Sequence, residues 1–396
     1  MPRITVIGAG AAGCFCAIEL KRRLPEAEVI VLEAGKQPMA KLALTGGGRC
    51  NLTNTFEGIR DLREAYPRGH QWMKRGLRQF GPRDTMRWFE AEGVSLKQEA
   101  GGRIFPVSDD AMQIVRTLRH AMDRSGVRLH TGERITDIRP LMADSDAVVV
   151  ATGGSPKRTG LAFLDPLGLE IEEPVPSLFT FRIEDPGIRA LMGSVAPAVI
   201  LSLLGTPFKA AGPLLLTDWG LSGPAALRLS SYAARHLAEC GYRAPLAVNW
   251  SGANEQSVRE QLSGTAERNA QRMAVHTPLF DLPSRLWAQL LQRSALRADI
   301  RWAEMGGKGL NRLVSTLTND PYEISGRAAF KEEFVTCGGV SLRNLDPLTL
   351  GARQHPGLFL AGEVLDIDAV TGGFNLQAAW TTGWICARSI AEYLKK

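Results

Sequence analysis

The sequence predicts an α/β protein: a Rossmann-like nucleotide-binding domain built from both chain ends, with an inserted β-barrel-like plus helical domain. Three observations support this prediction. A strand, a glycine turn and a helix open the chain; the middle is proline-rich with short β-like runs and then turns helical; strand-to-glycine junctions return near the C-terminus. We expect 1–185 and 335–396 to form the nucleotide-binding domain, 186–252 a β-rich insertion and 253–334 a helical insertion.

Hydrophobic periodicity and turn residues predict the individual elements. The predicted strands or strand-to-turn segments are 4–8, 29–32, 148–154, 199–204, 214–216 and 357–362. The predicted helices are 12–24, 69–93 with a break at Gly81-Pro82, 110–125, 284–303 and a final helix that follows Thr371. The apolar stretch 214–224 is either a loop over a cofactor or the junction between barrel and sheet.

The first turn carries a dinucleotide-binding fingerprint. Gly8-x-Gly10-x-x-Gly13 lies between a strand and a helix, and Glu33 closes the second strand of the βαβ unit. The glycines allow a tight turn and let a pyrophosphate approach the helix N-terminus, where free N–H groups and the helix dipole favour negative charge. Glu33 is expected to accept hydrogen bonds from ribose hydroxyls.

Two later junctions favour FAD over NAD. Both Ala151-Thr-Gly-Gly154 and Leu360-Ala-Gly-Glu363 follow predicted strands, and Thr371-Gly-Gly-Phe-Asn375 opens the last helix. This layout is typical of two-dinucleotide-type flavoproteins, in which an acid lies near the ribityl chain and a helix N-terminus faces the flavin. We therefore predict non-covalent FAD. The sequence has no second G-x-G-x-x-G, so NAD(P)H is expected to dock only transiently, as the reductant.

Residues 45–54, Thr-Gly-Gly-Gly-Arg-Cys-Asn-Leu-Thr-Asn, are the most unusual segment. Three consecutive glycines form an anion-binding nest or allow close approach to a flat ring. Arg49 could bridge phosphate and Asn51 could hydrogen-bond the flavin edge. Cys50 is either a small buried filler or a proton donor beside the flavin. Arg49 and Cys50 are therefore the catalytic candidates.

The predicted cofactor contacts come from these turns and their neighbours. They are Gly8, Gly10, Ala11, Ala12, Gly13, Glu33, Ala34, Lys41, Thr45, Gly46, Gly47, Gly48, Arg49, Asn51, Ala151, Thr152, Gly153, Gly154, Gly362, Glu363, Gly372, Gly373, Phe374 and Asn375. The six cysteines form no C-x-x-C pair and the histidines no H-x-x-x-H pair, so we predict neither a metal site nor a redox disulfide.

At these motifs the chain resembles the BaiN/RdsA-type NAD(P)/FAD-dependent oxidoreductases. The resemblance extends over nearly the whole chain and is carried by residues 41–54, 214–224 and 336–383. It implies an FAD-binding domain interrupted by a β-barrel-like and helical insertion. It also implies reduction of conjugated double bonds in steroid-like acids or of a uridine in large-subunit ribosomal RNA.

Some positions depart from the family pattern. Thr45 replaces the usual serine, Cys337 a small residue and Ala369 a glycine, and the segment 131–146 is shorter than the usual β-meander. These departures concern the choice of substrate rather than the cofactor.

Composition leaves the acceptor open. The net charge is +6, and residues 60–90 combine Lys and Arg with aromatic side chains, which suits either an RNA-facing surface or an amphipathic helix pair. In the basic segment 285–312, Arg293, Arg297 and Arg301 are expected on one helix face, as a phosphate-following ridge or a solvated surface. The substrate is either structured RNA or a small hydrophobic enone or enoic acid.

Two further expectations follow from the composition. The sequence has no run near about 18 apolar residues, and the cysteine usage suits a reducing compartment, so we expect a cytoplasmic protein with no membrane partner. An FAD-containing binding protein with little turnover is the alternative to an enzyme.

Overall fold

The computed structural model describes residues 1–328 and 335–395, and the chain divides into two compact units. Unit 1 comprises Met1–Val175 and Val335–Lys396, and unit 2 comprises Pro176–Phe334. The strands are β1 Arg3–Ile7, β2 Glu28–Glu33, β3 Thr53–Asn54, β4 Leu96–Glu99, β5 Arg103–Pro106, β6 Arg128–Thr131, β7 Ala147–Val150, β8 Ile171–Ser177, β9 Phe181–Ile183, β10 Val195–Leu203, β11 Lys209–Leu216, β12 Gly220–Ser222, β13 Ala244–Asn249, β14 Asp320–Arg327, β15 Val335–Val340 and β16 Leu358–Leu360. The helices are α1 Ala11–Arg23, α2 Ala40–Leu44, α3 His70–Gly76, α4 Pro82–Ala91, α5 Ala111–Ser125, α6 Arg139–Asp144, α7 Pro186–Arg189, α8 Gly223–Tyr232, α9 Ala234–Glu239, α10 Glu255–Arg268, α11 Ser284–Arg293, α12 Gly306–Thr318 and α13 Phe374–Tyr393.

Unit 1 is built around a five-stranded parallel sheet in the order β16-β7-β1-β2-β6. Its central strands are apolar runs whose side chains are almost wholly buried, as expected for a parallel sheet covered on both faces. Helices α1 and α13 pack against each other closely, since a Cβ at Gly383 would lie 2.7 Å from the Ala12 carbonyl oxygen. The predicted Rossmann-like βαβ start is confirmed.

Unit 2 is a closed antiparallel barrel in the order β10-β11-β12-β9-β14-β13, accompanied by helices α7 to α12. Barrel strands and helices bury one common hydrophobic core that includes Trp250, Trp287 and Trp302. The stretch 214–224 forms the end of β11, a turn, β12 and the start of α8, so it belongs to the barrel rather than to a free loop.

The predicted domain limits differ from these units. β9 lies before residue 186 yet pairs with β12 and β14, because the barrel needs it to close. β14 lies within the range predicted to be helical and pairs with β13. Because the strands and helices share one core, 186–252 and 253–334 do not form separate insertions. The stretch 329–334 lies outside the described residues.

One predicted helix is too long. We expected a helix over 284–303, but α11 ends at Arg293. Ala295 adopts a left-handed φ of 52°, and the Leu296 N–H turns back to the Leu291 carbonyl at 3.1 Å, which ends the helix. Arg293, Arg297 and Arg301 therefore do not form a ridge on one helix face, and that prediction is wrong.

Within residues 1–328 and 335–395, no helix combines the length and the apolar character that crossing a bilayer requires.

Candidate functional site

The strand ends of the parallel sheet bring the predicted site residues to one edge of unit 1. Taking the sheet in the order β16, β7, β1, β2, the residues that follow or end these strands are Gly362, Ala151, Gly8 and Glu33. Adjacent ends are joined by backbone hydrogen bonds, for example from Ala151 N to Ile7 O at 2.8 Å. Ligands of open α/β sheets bind in the crevice outside the carboxyl ends of the strands. This edge is the candidate site.

The first glycine turn is closed towards the protein and open on its outer side. A Cβ at Gly8, where φ is +104°, would lie 2.4 Å from the Ala151 carbonyl oxygen, and a Cβ at Gly13 would lie 2.0 Å from the Gly8 carbonyl oxygen. A Cβ at Gly10 would have no atom within 4 Å. Because α1 begins at Ala11, this open side faces a helix N-terminus, which fits a pyrophosphate.

Glu33 is held in place by the backbone. Its Oε2 accepts a hydrogen bond from Ala9 N at 2.8 Å, and its Oε1 accepts one from Gly35 N at 2.7 Å. A carboxylate oxygen can accept a second bond, so the fixed and half-buried carboxylate fits a pair of ribose hydroxyls. Ala12 is buried in the first turn of α1, while Ala34 is exposed directly after β2.

The three consecutive glycines form an exposed surface of bare backbone. Gly46, Gly47 and Gly48 have left-handed φ values of 59°, 67° and 84°. A Cβ at Gly47 or Gly48 would have no neighbour within 4 Å, whereas one at Gly46 would lie 2.8 Å from the Asn51 backbone nitrogen. The hydroxyl of Thr45 donates to the Leu42 carbonyl at 2.7 Å and closes the preceding helix. This surface fits the close approach of a flat ring.

Two motifs that lie 318 residues apart are joined into one surface. The Asn54 amide donates to the Gly372 carbonyl at 2.9 Å. The Asn51 amide, oriented so that both of its ends are satisfied, donates to the Thr53 carbonyl at 3.2 Å and accepts from Gly373 N at 3.1 Å. A Cβ at Gly373 would lie 2.4 Å from the Thr53 carbonyl oxygen, so only glycine permits this contact. The segment 45–54 and the start of α13 therefore form a single structural feature.

Phe374 and Asn375 hold the turn from within. The buried ring of Phe374 packs edge-on against Phe56, with centroids 5.0 Å apart. The Asn375 side chain both accepts from the N–H and donates to the carbonyl of Ala369, each at 2.9 Å. We predicted both residues to contact the cofactor. Because these side chains already make contacts within the protein, a flavin ring beside this turn would contact the backbone at the N-terminus of α13.

Glu363 occupies the position expected for an acid near a ribityl chain. Its Oε1 accepts from Thr336 N at 2.8 Å, and a Cβ at Gly154 would lie 2.6 Å from the same oxygen. Its Oε2 lies 3.8 Å from Lys41 Nζ. Thr152 and Gly153 follow β7 at the same edge, and a Cβ at Gly153 would have no atom within 4 Å.

Arg49 is bound by two carboxylates of its own unit. Its guanidinium donates to Asp109 at 2.7 and 2.9 Å and to Glu99, and it lies 4.2 Å from the centroid of the Phe105 ring. The Arg49 hydrogen bonds lower the pKa of Glu99. A guanidinium bound in this way is poorly placed to bridge phosphate, contrary to our expectation. The geometry favours a role in holding the glycine segment against the β4–β5 hairpin.

Cys50 has the features of a buried filler. Its side chain is fully buried, and burial raises the pKa of the thiol to about 12, although a hydrogen bond to Thr45 acts in the opposite direction. The thiol is therefore neutral at physiological pH and a poor proton donor. Of the two interpretations that the sequence left open, the structure favours the filler.

A buried network missed by the sequence analysis centres on Gln377 of α13. Its Oε1 accepts from the hydroxyls of Thr53 at 2.5 Å and Thr85 at 2.9 Å, and its Nε2 donates to Thr381 Oγ1 at 2.9 Å. All four side chains are fully buried. The network ties the glycine segment to α4 and α13. The sequence signal for this network was the pair Gln377 and Thr381, two polar residues four positions apart on an otherwise apolar helix.

A second cluster bears on the predicted absence of metal. Potential ligand atoms of Cys337, Asp366 and Asp368 lie within 4.8 Å of one another. The guanidinium of Arg68 forms a nearly buried ion pair with Asp368, with Nε 2.6 Å from Oδ1. That pair already neutralises one carboxylate, so the cluster is not arranged as an open cation site. The absence of metal stays a prediction.

Four of the five aromatic residues of 60–90 belong to the core, and the fifth, Trp72, is half-buried. Tyr66, Phe80, Trp88 and Phe89 are all buried. They pack with aromatic residues of α1 and α13; for instance, the Phe15 and Trp88 centroids are 4.8 Å apart. Base stacking on these four rings is therefore excluded in this conformation.

The three arginines of the expected ridge make side-chain contacts within unit 2. Arg293 binds Asp320 and Asp185, with shortest distances of 2.7 and 2.8 Å. Arg297 pairs with Glu304 at 2.9 Å, and Arg301 donates to Gln271 at 3.3 Å. Neither Arg293 nor Arg297 is arranged as an uncommitted phosphate contact.

Comparison with known proteins finds a matching family model and relatives over nearly the whole chain. The family model described as HI0933-like protein Rossmann domain matches residues 2–389. A 3-dehydro-bile acid delta(4,6)-reductase of Clostridium scindens is 29% identical over 412 residues, covering 99% of this chain and 100% of that protein. A ribosomal RNA dihydrouridine synthase of Escherichia coli is 29% identical over 409 residues, covering 97% of each. Among solved structures, a 3-ketosteroid delta1-dehydrogenase of Sterolibacterium denitrificans aligns with a TM-score of 0.48 and 13% identity, covering 99% of this chain and 100% of that one.

Proposed function

The chain belongs to the HI0933-like family, and from that premise we propose that it is an FAD-dependent oxidoreductase that reduces a carbon–carbon double bond with NAD(P)H as reductant. The observation that carries the proposal is the joining of the glycine segment 45–54 to the 372–375 turn, together with the open helix N-terminus that Gly8 to Gly13 leave at the sheet edge of the same unit. Each part fits a different portion of one extended dinucleotide.

The residues that would hold FAD follow from this arrangement. The backbone of Gly8–Gly13 and the N-terminus of α1 would bind the pyrophosphate, and Glu33 the adenosine ribose. Glu363, against which Gly154 packs closely, would bind the ribityl chain. Gly46–Gly48 and the N-terminus of α13 would meet the ring, where the positive end of the helix dipole favours negative charge.

Bound FAD supplies hydride transfer between a nicotinamide and a substrate carbon. The net reaction adds one hydride from NAD(P)H and one proton across the double bond. The proton does not come readily from Cys50, whose thiol pKa is raised to about 12. Arg49, bound to Glu99 and Asp109, orients the glycine segment and does not donate a proton.

The acceptor that we favour is a uridine in ribosomal RNA. The E. coli and Haemophilus influenzae relatives named ribosomal RNA dihydrouridine synthase, which are 29% and 26% identical over 97% and 98% of this chain, support it. So do the basic side chains of 70–91 considered below. A small hydrophobic enone or enoic acid is the second candidate, because the bile acid reductase is equally similar, at 29% identity.

An anaerobic two-step experiment tests the proposal. The FAD-loaded protein is mixed first with NADPH or NADH and then with a uridine-containing ribosomal RNA fragment or a steroid-like enone. We expect loss of the oxidised flavin absorbance, its return on adding the acceptor, and a product that has gained two hydrogen atoms by mass spectrometry. Flavin that neither nicotinamide reduces would contradict the proposed reductant, and a protein that does not bind FAD would contradict the whole proposal.

A further inference from the structure

We propose that the outward face of α3 and α4, formed by Lys74, Arg75, Arg78 and Arg83, binds the phosphate backbone of RNA. We call this surface the cationic face. The inference rests on the proposed function only for its choice of RNA as the polyanion. It adds a docking surface that lies outside the predicted cofactor contacts.

Helix periodicity turns these four cations outward. Met73, Gly76 and Phe80 are buried, and helical hydrogen bonds from Leu77 N to Met73 O and from Phe80 N to Gly76 O continue that spacing beyond the end of α3. On α4, the buried positions are Thr85, Trp88 and Phe89. The cations occupy the intervening positions, and all four are exposed.

The cationic face is not neutralised by the protein. Within the part of the chain that the structure describes, no carboxylate lies within 4.0 Å of any of the four, although neighbouring cations are paired: Arg63 with Asp61 and Arg87 with Asp84. Residues 70–91 carry five Lys or Arg against two Asp or Glu, a local charge of +3. Exposed and unpaired guanidinium groups suit phosphate oxygens, which they can bind through two parallel hydrogen bonds.

The surroundings favour a nucleic acid over a lipid surface. Membrane-binding amphipathic helices expose large apolar side chains beside their cations. Every large hydrophobic residue of 60–91 is buried or half-buried, so this face has nothing to insert into a bilayer. A hydrophilic polyanion is the occupant that such a surface fits.

An open cleft lies beside Arg83 of the cationic face and extends to Thr55, the residue that follows the glycine segment 45–54. It has a volume of about 540 Å³, and its lining includes Arg83, Gly81 and Thr55. Thr55 directly follows Asn54, whose amide donates to the Gly372 carbonyl. The volume lies within the range of roughly 300–1,000 Å³ typical of ligand sites. An RNA whose phosphates bind the cationic face would lie next to this cleft.

The test is RNA binding measured without any reductant. The probe is a labelled RNA hairpin with uridines in its loop, titrated across a salt series by filter binding with the FAD-loaded protein. One variant changes the four cations of the face to glutamine. The matched control changes four exposed cations of unit 2 that also lack a carboxylate partner among the described residues; these are Lys209, Arg268, Arg272 and Lys308.

We expect the cationic-face variant to bind RNA more weakly and with less dependence on salt. The slope of log affinity against log salt should become shallower by about 0.7 for each single-strand phosphate that the variant no longer neutralises, or about 3 in all. The control variant should keep the slope of the unmodified protein. Melting temperature and FAD content, unchanged in both variants, show that the fold is retained.

Three outcomes would overturn the proposal: equal weakening in both variants, unchanged binding in the cationic-face variant, or dependence on this face only for vesicles of phosphatidylglycerol or for polyglutamate and not for RNA. Reduction of the flavin by NADPH needs no RNA and is measured separately. Failure of that reaction counts against the proposed function, whereas failure of the binding test counts against this surface.

Discussion

The two units differ in whether their polar groups find hydrogen-bond partners inside the protein. In unit 2, the buried Asp320 carboxylate accepts from Trp250 Nε1 at 2.9 Å, from the Tyr322 hydroxyl at 2.5 Å and from Arg293, so its bonding is completed inside the protein. At the sheet edge of unit 1, Gly10, Gly47 and Gly153 leave backbone facing space in which a Cβ would meet nothing within 4 Å.

This difference shows which charged or polar motifs point to a ligand. The two basic segments look alike in sequence, yet Arg293 and Arg297 of 285–312 pair with carboxylates within the fold, whereas the four cations of the cationic face do not. A motif indicates a binding site when the structure leaves its donors uncommitted. Arg49 shows the converse, because its donors are already taken by carboxylates of unit 1.

The largest expected effect is on the stability of unit 2. Arg293→Met leaves the buried Asp320 without its cation, and breaking a mostly buried pair should lower the free energy of unfolding by about 3 kcal/mol. The exposed Arg297→Met should change it by less than about 1 kcal/mol. Denaturant unfolding measures both. Loss of FAD affinity in Arg293→Met without loss of stability would contradict the division of roles between the units.

Gly373→Ala should disturb the joined motifs in unit 1. The new Cβ would lie 2.4 Å from the Thr53 carbonyl oxygen at a φ of +91°, so the turn must shift. We expect a decrease of about 2 kcal/mol in stability, with at least a comparable decrease in FAD affinity. Gly126→Ala is the matched control, because it has a similar positive φ of 74° but open space around it. FAD titration should separate the two, and equal FAD affinities would count against the role of the turn.

Glu33→Ala should weaken FAD binding by about 1–2 kcal/mol, since ribose hydroxyls would lose a fixed acceptor. Glu28, at the amino end of the same strand, pairs with Arg3 and Arg128 and provides the control. Glu28→Ala should leave FAD affinity unchanged. Isothermal titration with FAD checks both variants, and equal weakening would show that strand stability rather than ribose binding is being measured.

The smallest effect is expected at Cys50. Among the six free cysteines only Cys240 is exposed, so one thiol should react with iodoacetamide at pH 8 in the folded protein and six after unfolding.

Because the Cys50 pKa is raised from 9.0 to about 12, its contribution to stability is fully present below pH 9 and is lost as pH rises towards 12. Burial also raises the pKa values of Cys14, Cys16 and Cys386, so Cys50→Ala should reduce this loss of stability without abolishing it. Unchanged single-turnover rates in Cys50→Ser and Cys50→Ala would support the interpretation that Cys50 is a buried filler and not a proton donor.

The elements that sequence periodicity specifies were predicted well. The strand–turn–helix start, the break before α4 and the last helix depend on local signals, namely an apolar run, Gly81-Pro82 and a glycine pair. The end of α11 depends on the left-handed φ of Ala295, and alanine has no preference for that conformation from which it could be predicted. Barrel closure by β9 and β14 is a long-range pairing, so the domain limits could not be read from local composition.

The glycines and acidic residues of the candidate site could be predicted from the sequence. The hydrogen bonds and ion pairs between them could not. Glycine spacing marks where backbone must approach backbone. The partners of Arg49, Asn375 and Gln377 depend on which loops meet in space. Sequence therefore indicated which residues lie at the candidate site, and the structure showed that the side chains of several of them make contacts within the protein.

The most direct test of the central claim is an experimental structure with FAD bound. We expect the pyrophosphate at Gly10 and the N-terminus of α1, a ribose within hydrogen-bond distance of Glu33 (about 3.2 Å or less), and the ring against Gly46–Gly48 and the start of α13. A dinucleotide bound away from this sheet edge, or a ring separated from both glycine turns by intervening side chains, would contradict it.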